Sequence, residues 1–403
     1  MTFPNTSTPL VKLDLTFEAG SRYQPQPSVA HAAERLIGEA TARRSAADVA
    51  DFLDFRGIIL ERSADTSTSC LSFYFLRRYA GELLPLVREI VEQPLLTPSL
   101  FDAYVSKRRQ QLEENARKTS LVARNLWYQT LFGPRHPLGV YATPEDVDRL
   151  TPDTVTAFWR DRYRLPEAQI TLAGNVDDAL VALVNDSLPL CSSATPAQPP
   201  LPPSDSLAPI PAAPMAVTLP SATQASLRVG RILPFRWDDP DCYRFMILNT
   251  LLGGYFGSRL MSNLREDKGY TYGINSRIQI LRGCIVFYIT ADVAPDAAAD
   301  SLVQVDAEIR RLCDERVSPD ELHRVCNYLR GDHLRSIDGI FELAERHRQL
   351  ATTALDSRFF DYFLDALETT TPSDILRVAR QYLNPSDLLH VVAGPPQEKQ
   401  SVC

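Results

Sequence analysis

Short apolar runs punctuate the chain at 11–18, 57–62, 70–75, 169–173, 226–232, 270–280, 284–291 and 388–393, and each predicts a β-strand. The pair flanking Leu281-Arg282-Gly283 reads as a hairpin. Between the strands lie amphipathic stretches with marked helix starts. Thr97-Pro98, Thr143-Pro144, Thr151-Pro152, Ser318-Pro319 and Thr371-Pro372 each place a capping hydroxyl before a proline at the first helical position. Ser318 and Glu321 have the spacing of a capping box. Hairpins flanked by helices predict an α+β protein whose sheets are mainly antiparallel, with helices packed on one face.

The pattern occurs twice. Residues 151–175 and 371–395 each carry a Thr-Pro helix start, an amphipathic helix ending in tyrosine, a proline three residues later and an apolar strand ending in Ala-Gly. Their offset of 220 residues points to duplication. Between the copies, 192–214 holds eight of the 30 prolines and almost no large apolar residue, which predicts an extended, exposed linker. The expected organisation is two homologous domains at 1–191 and 215–403, joined by that proline-rich linker at 192–214.

Composition narrows the function classes. A length of 403 residues suits two domains, and 44% hydrophobic with 23% charged residues is ordinary for a soluble globular chain. A formal charge of −8 argues against nucleic-acid or anionic-membrane partners. No apolar run is long enough to predict a membrane span, and the N-terminus shows no basic start with an apolar core. The seven cysteines are scattered without a Cys-x-x-Cys pair, which suits reduced thiols in a cytoplasm.

Two segments carry candidate chemistry. In LLGGYFGSRLMSNLREDKGYTYGINS, at 251–276, a helix ends at Gly253-Gly254 and a second helix starts with Ser258 as its N-cap. Gly269 is placed for the left-handed residue past its last turn. Arg265 sits in that last turn, and Tyr272 lies on an alternating run with Tyr270, Ile274 and Ser276. The turn folds the strand back, so a guanidinium and a phenol converge where they can grip a peptide carbonyl or carboxylate. Taken alone, the two read first as an arginine at a helix C-terminus and a tyrosine in a sheet, and only the order and spacing of the whole segment reverse that reading. The second segment is His31-Ala-Ala-Glu34-Arg35, preceded by Ala19-Gly20-Ser21-Arg22-Tyr23 and followed by Thr41.

Together these segments resemble the pitrilysin/insulinase-type (inverted zincin) peptidases, the family of mitochondrial processing peptidase, over most of the chain. The family's zinc motif is His-x-x-Glu-His on a helix: two histidines bind the metal, and the glutamate between them is the general base. A later glutamate completes the set, here best matched by Glu114, with Glu113 one residue away. At position 35 this chain has arginine, which offers no lone pair and keeps its charge. His31 and Glu114 alone fall short of the three protein ligands a catalytic zinc needs. The expectation is a degenerate site without metal in this chain, in which Arg35 takes over the zinc's electrostatic role and pairs with Glu34 or Glu114. The resemblance implies that Arg265 and Tyr272 bind substrate. It further implies that the chain is the non-catalytic subunit of a heterodimer, completing the peptide-cleaving site of a homologous zinc-bearing partner. Three alternatives stand beside that reading: a self-sufficient zinc peptidase with an atypical site, a purely structural relative, and a peptide-binding module.

Overall fold

The computed structural model describes residues 1–5, 7–190, 211, 213–353 and 355–396. The linker expected at 192–214 lies almost wholly outside these residues. Each half builds a five-stranded sheet. The first comprises β1 (Thr2–Pro4), β2 (Leu10–Phe17), β3 (Ile59–Ala64), β4 (Ser69–Leu76) and β5 (Gln169–Gly174), in the order β1-β5-β2-β4-β3. The second comprises β6 (Met215–Thr218), β7 (Ala225–Leu233), β8 (Thr271–Leu281), β9 (Cys284–Val293) and β10 (Leu389–Gly394), in the order β6-β10-β7-β9-β8. The two orders are identical once the numbering is advanced by five, as a duplication requires. All pairings are antiparallel except β1 with β5 and β6 with β10.

All eight expected strands form. The short β1 and β6 escape sequence reading because three or four residues carry too little periodicity. The Thr-Pro starts open helices Pro98–Asn115, Pro144–Asp148, Pro152–Arg162 and Pro372–Tyr382, and Ser318-Pro319 opens Pro319–Arg335. Thr143, Thr151 and Thr371 each close a full capping box. Ser318 caps the Glu321 N–H at 3.1 Å, but the Glu321 carboxylate takes two bonds of 2.9 Å from Arg259 instead of turning back to the cap.

The chain folds into two compact units that exchange segments between its halves. The first unit holds Met1–Leu112, Tyr141–Pro199 and Ser336–Thr352; the second holds Glu113–Val140, Pro200–Arg335 and Thr353–Cys403. Each exchanged segment supplies a helix to one sheet face. On β2, Val11, Leu13, Leu15 and Phe17 enter the first unit's core, while Lys12, Asp14 and Thr16 on the opposite face are also buried. Helix Ile340–Thr353 covers that polar face, with Glu345 3.5 Å from the Lys12 ammonium and Asp14 at 3.1 Å. In the second unit, helix Thr119–Phe132 lays Trp127 and Tyr128 over a buried arginine of β7. The Arg228 guanidinium lies 4.8 Å from the Trp127 ring and 4.0 Å from that of Tyr288, so π-faces take the place of water around it. Each sheet therefore has helices on its core face and one exchanged helix on its outer face.

Candidate functional site

The first candidate cluster gathers on helix Val29–Leu36, entered through Ser28 at φ 77°, the one described non-glycine residue with a positive φ. Before it, Gly20 packs so closely on the Thr66-Ser67 backbone that a Cβ would lie 2.4 Å from it. His31 Nδ1 meets the Tyr104 hydroxyl at 2.9 Å. Burial, then Arg108, then Arg35 push the imidazole down to about 3, so at neutral pH it is uncharged. Glu34 is 3% exposed, and its Oε1 has no hydrogen-bond partner. Burial raises its carboxyl above the usual range, against the pull of Arg35, Arg62 and Arg108.

The expected pair forms: Arg35 Nε lies 3.3 Å from Glu34 Oε2, with the Arg35 side chain 59% exposed. The positive charge around Glu34 is therefore shared with Arg62, whose Nε donates to the Ile37 carbonyl at 2.7 Å, and with Arg108. Helix Pro98–Asn115 turns Tyr104 and Arg108, one i,i+4 stripe, toward His31. Glu114 lies about 240° round the helix from Arg108 and about 9 Å further along, in the exposed last turn, as does Glu113. Among the described residues, no three His, Cys, Asp or Glu side chains converge as a metal site would require. A phenol and a guanidinium opposite His31 do not fit a zinc ion.

The second cluster lies at 251–276. Helix Pro240–Asn249 runs into a π-type turn, Thr250–Gly254, and a second such turn spans Met261–Asp267. Its end is wide: the Lys268 N–H donates to the Asn263 carbonyl at 3.1 Å, and Tyr270 to Leu264 at 2.9 Å. Gly269 takes φ 64° as expected. Ser258 does not cap; its hydroxyl is buried and unpaired. Arg265 is exposed, its guanidinium 4.8 Å from the Phe256 ring. The Tyr270 hydroxyl donates to Asp300 at 2.8 Å, which anchors the turn.

The alternating run was expected to set Tyr272 on the same face as Ile274, and the structure separates them. On β8, Thr271 pairs with Val293 but Ile274 pairs with Ala291, so β8 carries one extra residue. The Thr271 hydroxyl accepts from Gly273 N–H at 3.1 Å and donates to the Asp292 carbonyl at 2.7 Å, fixing the bulge. The bulge shifts the period by one. Thr271 and Ile274 are both buried, and Tyr272 is 92% exposed. Arg265 and Tyr272 thus stand on successive elements, both open to solvent. Reading by period alone misses Tyr104, Arg108, Arg62 and Phe256; of these only the Tyr104/Arg108 spacing left a signal.

A twice-built α+β unit, with the His31-Ala-Ala-Glu34-Arg35 helix in one copy and the exposed Arg265 and Tyr272 in the other, fits the peptidase-type class that the sequence resembles. The comparisons agree. Residues 1–136 match the family described as Insulinase (Peptidase family M16), and 149–329 match Peptidase M16 inactive domain. The chain belongs to the insulinase-type M16 peptidase family, as a non-catalytic relative. It is 26% identical to an uncharacterized zinc protease of Streptomyces coelicolor over 379 residues, covering 92% of this chain and 81% of that protein. A non-peptidase homolog of Helicobacter pylori is 23% identical over 281 residues, covering 68% of this chain and 63% of that protein. In fold it matches the peptidase M16 inactive domain from Pseudomonas fluorescens at a TM-score of 0.86 and 22% identity, covering 99% and 96% of the two chains. No helix among the described residues is long and apolar enough to cross a membrane.

Proposed function

We propose that this chain is the non-catalytic, substrate-binding subunit of a heterodimeric zinc metallopeptidase, and that a homologous partner brings the zinc. The observation that carries the reading is the contrast between the two clusters. Arg265 and Tyr272 are held out to solvent by a π-type turn and a bulge, and a tyrosine at 92% exposure contributes little to its own fold. His31 is met by cations and a phenol where ligands belong. In this role Arg265 gives charge-assisted hydrogen bonds to the peptide backbone, and Tyr272 gives a phenolic donor to a carbonyl or to the oxyanion formed at the partner's metal.

Mixing tests the reading. The full chain is combined with a homologous subunit bearing an intact His-x-x-Glu-His, and peptide cleavage is followed for each protein and for the mixture. Cleavage by the mixture alone is expected; activity of this chain by itself, abolished by a chelator, would favour the self-sufficient peptidase. The purified chain is also expected to hold far less than one zinc per molecule by plasma mass spectrometry. One equivalent that survives dialysis and disappears in His31→Ala would sink the metal-free account.

A further inference from the structure

Phe256 sits in the loop between the two π-type turns, 63% exposed as a residue. The loop is tightly built. Tyr255 packs on Tyr328, ring centroids 5.1 Å apart, and a Cβ at Gly257 would come within 2.9 Å of the Tyr255 ring. With Tyr255 anchored, the next side chain is directed outward, where one face of the Phe256 ring receives the Arg265 guanidinium at 4.8 Å. Among the described residues Arg265 makes no ion pair, and the Phe256 ring is what orients it. A stacked guanidinium keeps its edge N–H groups free for hydrogen bonding, which a carboxylate partner would occupy.

We propose that Phe256 is a third member of the substrate grip: it positions Arg265 and offers its exposed ring surface to an apolar side chain of the peptide, next to the backbone group that Arg265 holds. The inference rests on the proposed function and adds a substrate preference to it. A large apolar residue beside the scissile bond fits this surface, and a small polar one gains nothing from it.

Two measurements test it. The first uses the full chain alone, with 4-fluorophenylalanine at position 256. The fluorine resonance is expected to move on Arg265→Ala, and to move again on adding a phenylalanine-bearing peptide but not its serine analogue. The second uses the cleaving mixture. Phe256→Leu keeps an apolar side chain but loses the π-face; it is expected to raise KM about fivefold with kcat within about twofold, and to reduce the preference for phenylalanine over serine. Phe256→Tyr restores both. If Phe256→Leu leaves KM and preference unchanged while Arg265→Ala still impairs cleavage, the role of Phe256 is overturned and the grip stands. If the mixture does not cleave, the complementation reading is what falls. The fluorine resonance still decides: unmoved by Arg265→Ala and by the phenylalanine peptide, it overturns the proposal.

Discussion

Replacing Arg265 with alanine should lower kcat/KM of the reconstituted peptidase about 100-fold, the cost of one strong charge-assisted contact that tightens toward the transition state. Tyr272→Phe should cost about tenfold, since one neutral donor is lost and the ring remains. Both side chains are exposed, so neither variant should shift the thermal unfolding midpoint by more than a degree or two. That separation makes the test decisive: lost activity with unchanged stability points to the grip, whereas unchanged activity in both variants would favour the purely structural relative. The bulge gives a control. Thr271→Val keeps the shape of the side chain but removes the hydroxyl that accepts from Gly273 and donates to Asp292, and it should reduce activity through a misdirected Tyr272.

Asp241→Asn should loosen the second unit by about 2 kcal/mol at neutral pH, read as faster hydrogen exchange in helices Pro240–Asn249 and Pro372–Tyr382. The Asp241 carboxylate takes bonds of 2.8 and 2.5 Å from Arg377 and one of 3.0 Å from the Tyr382 hydroxyl, and it is 8% exposed. The Arg377 bonds, ahead of the opposing burial, hold its carboxyl below the usual carboxylate range. The sign follows from that depression. Stabilisation is complete above the unfolded-state value of about 3.9 and is lost as pH falls through the lower folded-state value. Protection of these helices in the wild type should therefore fall on acidification below about pH 4, and Asp241→Asn should flatten that fall. Equal protection in the two proteins at pH 7 would show that the network contributes nothing.

The sequence by itself determined the duplication, the eight longer strands and the proline-marked helix starts, because these rest on local periodicity and on backbone chemistry confined to a few residues. Position 35 was equally legible: an arginine has no lone pair wherever the fold places it. Gly269 was too, since φ 64° is a property of its own backbone. Only the tertiary structure decided what lies opposite His31. Helix Pro98–Asn115 is polar along much of its length, so nothing in its pattern favours Tyr104 and Arg108 over Glu114 until the helix is packed. The exchanged helices were hidden for a related reason. Lys12 and Asp14 alternate with apolar residues on β2, and both are buried beside Glu345, more than 300 residues away, a contact that no local pattern carries. Tyr272 shows the limit most plainly. Alternation assumes an unbroken period of two, and one extra residue, admitted by the Thr271 hydroxyl and by Gly273 against β9, moved the phenol from the sheet's packed face into solvent.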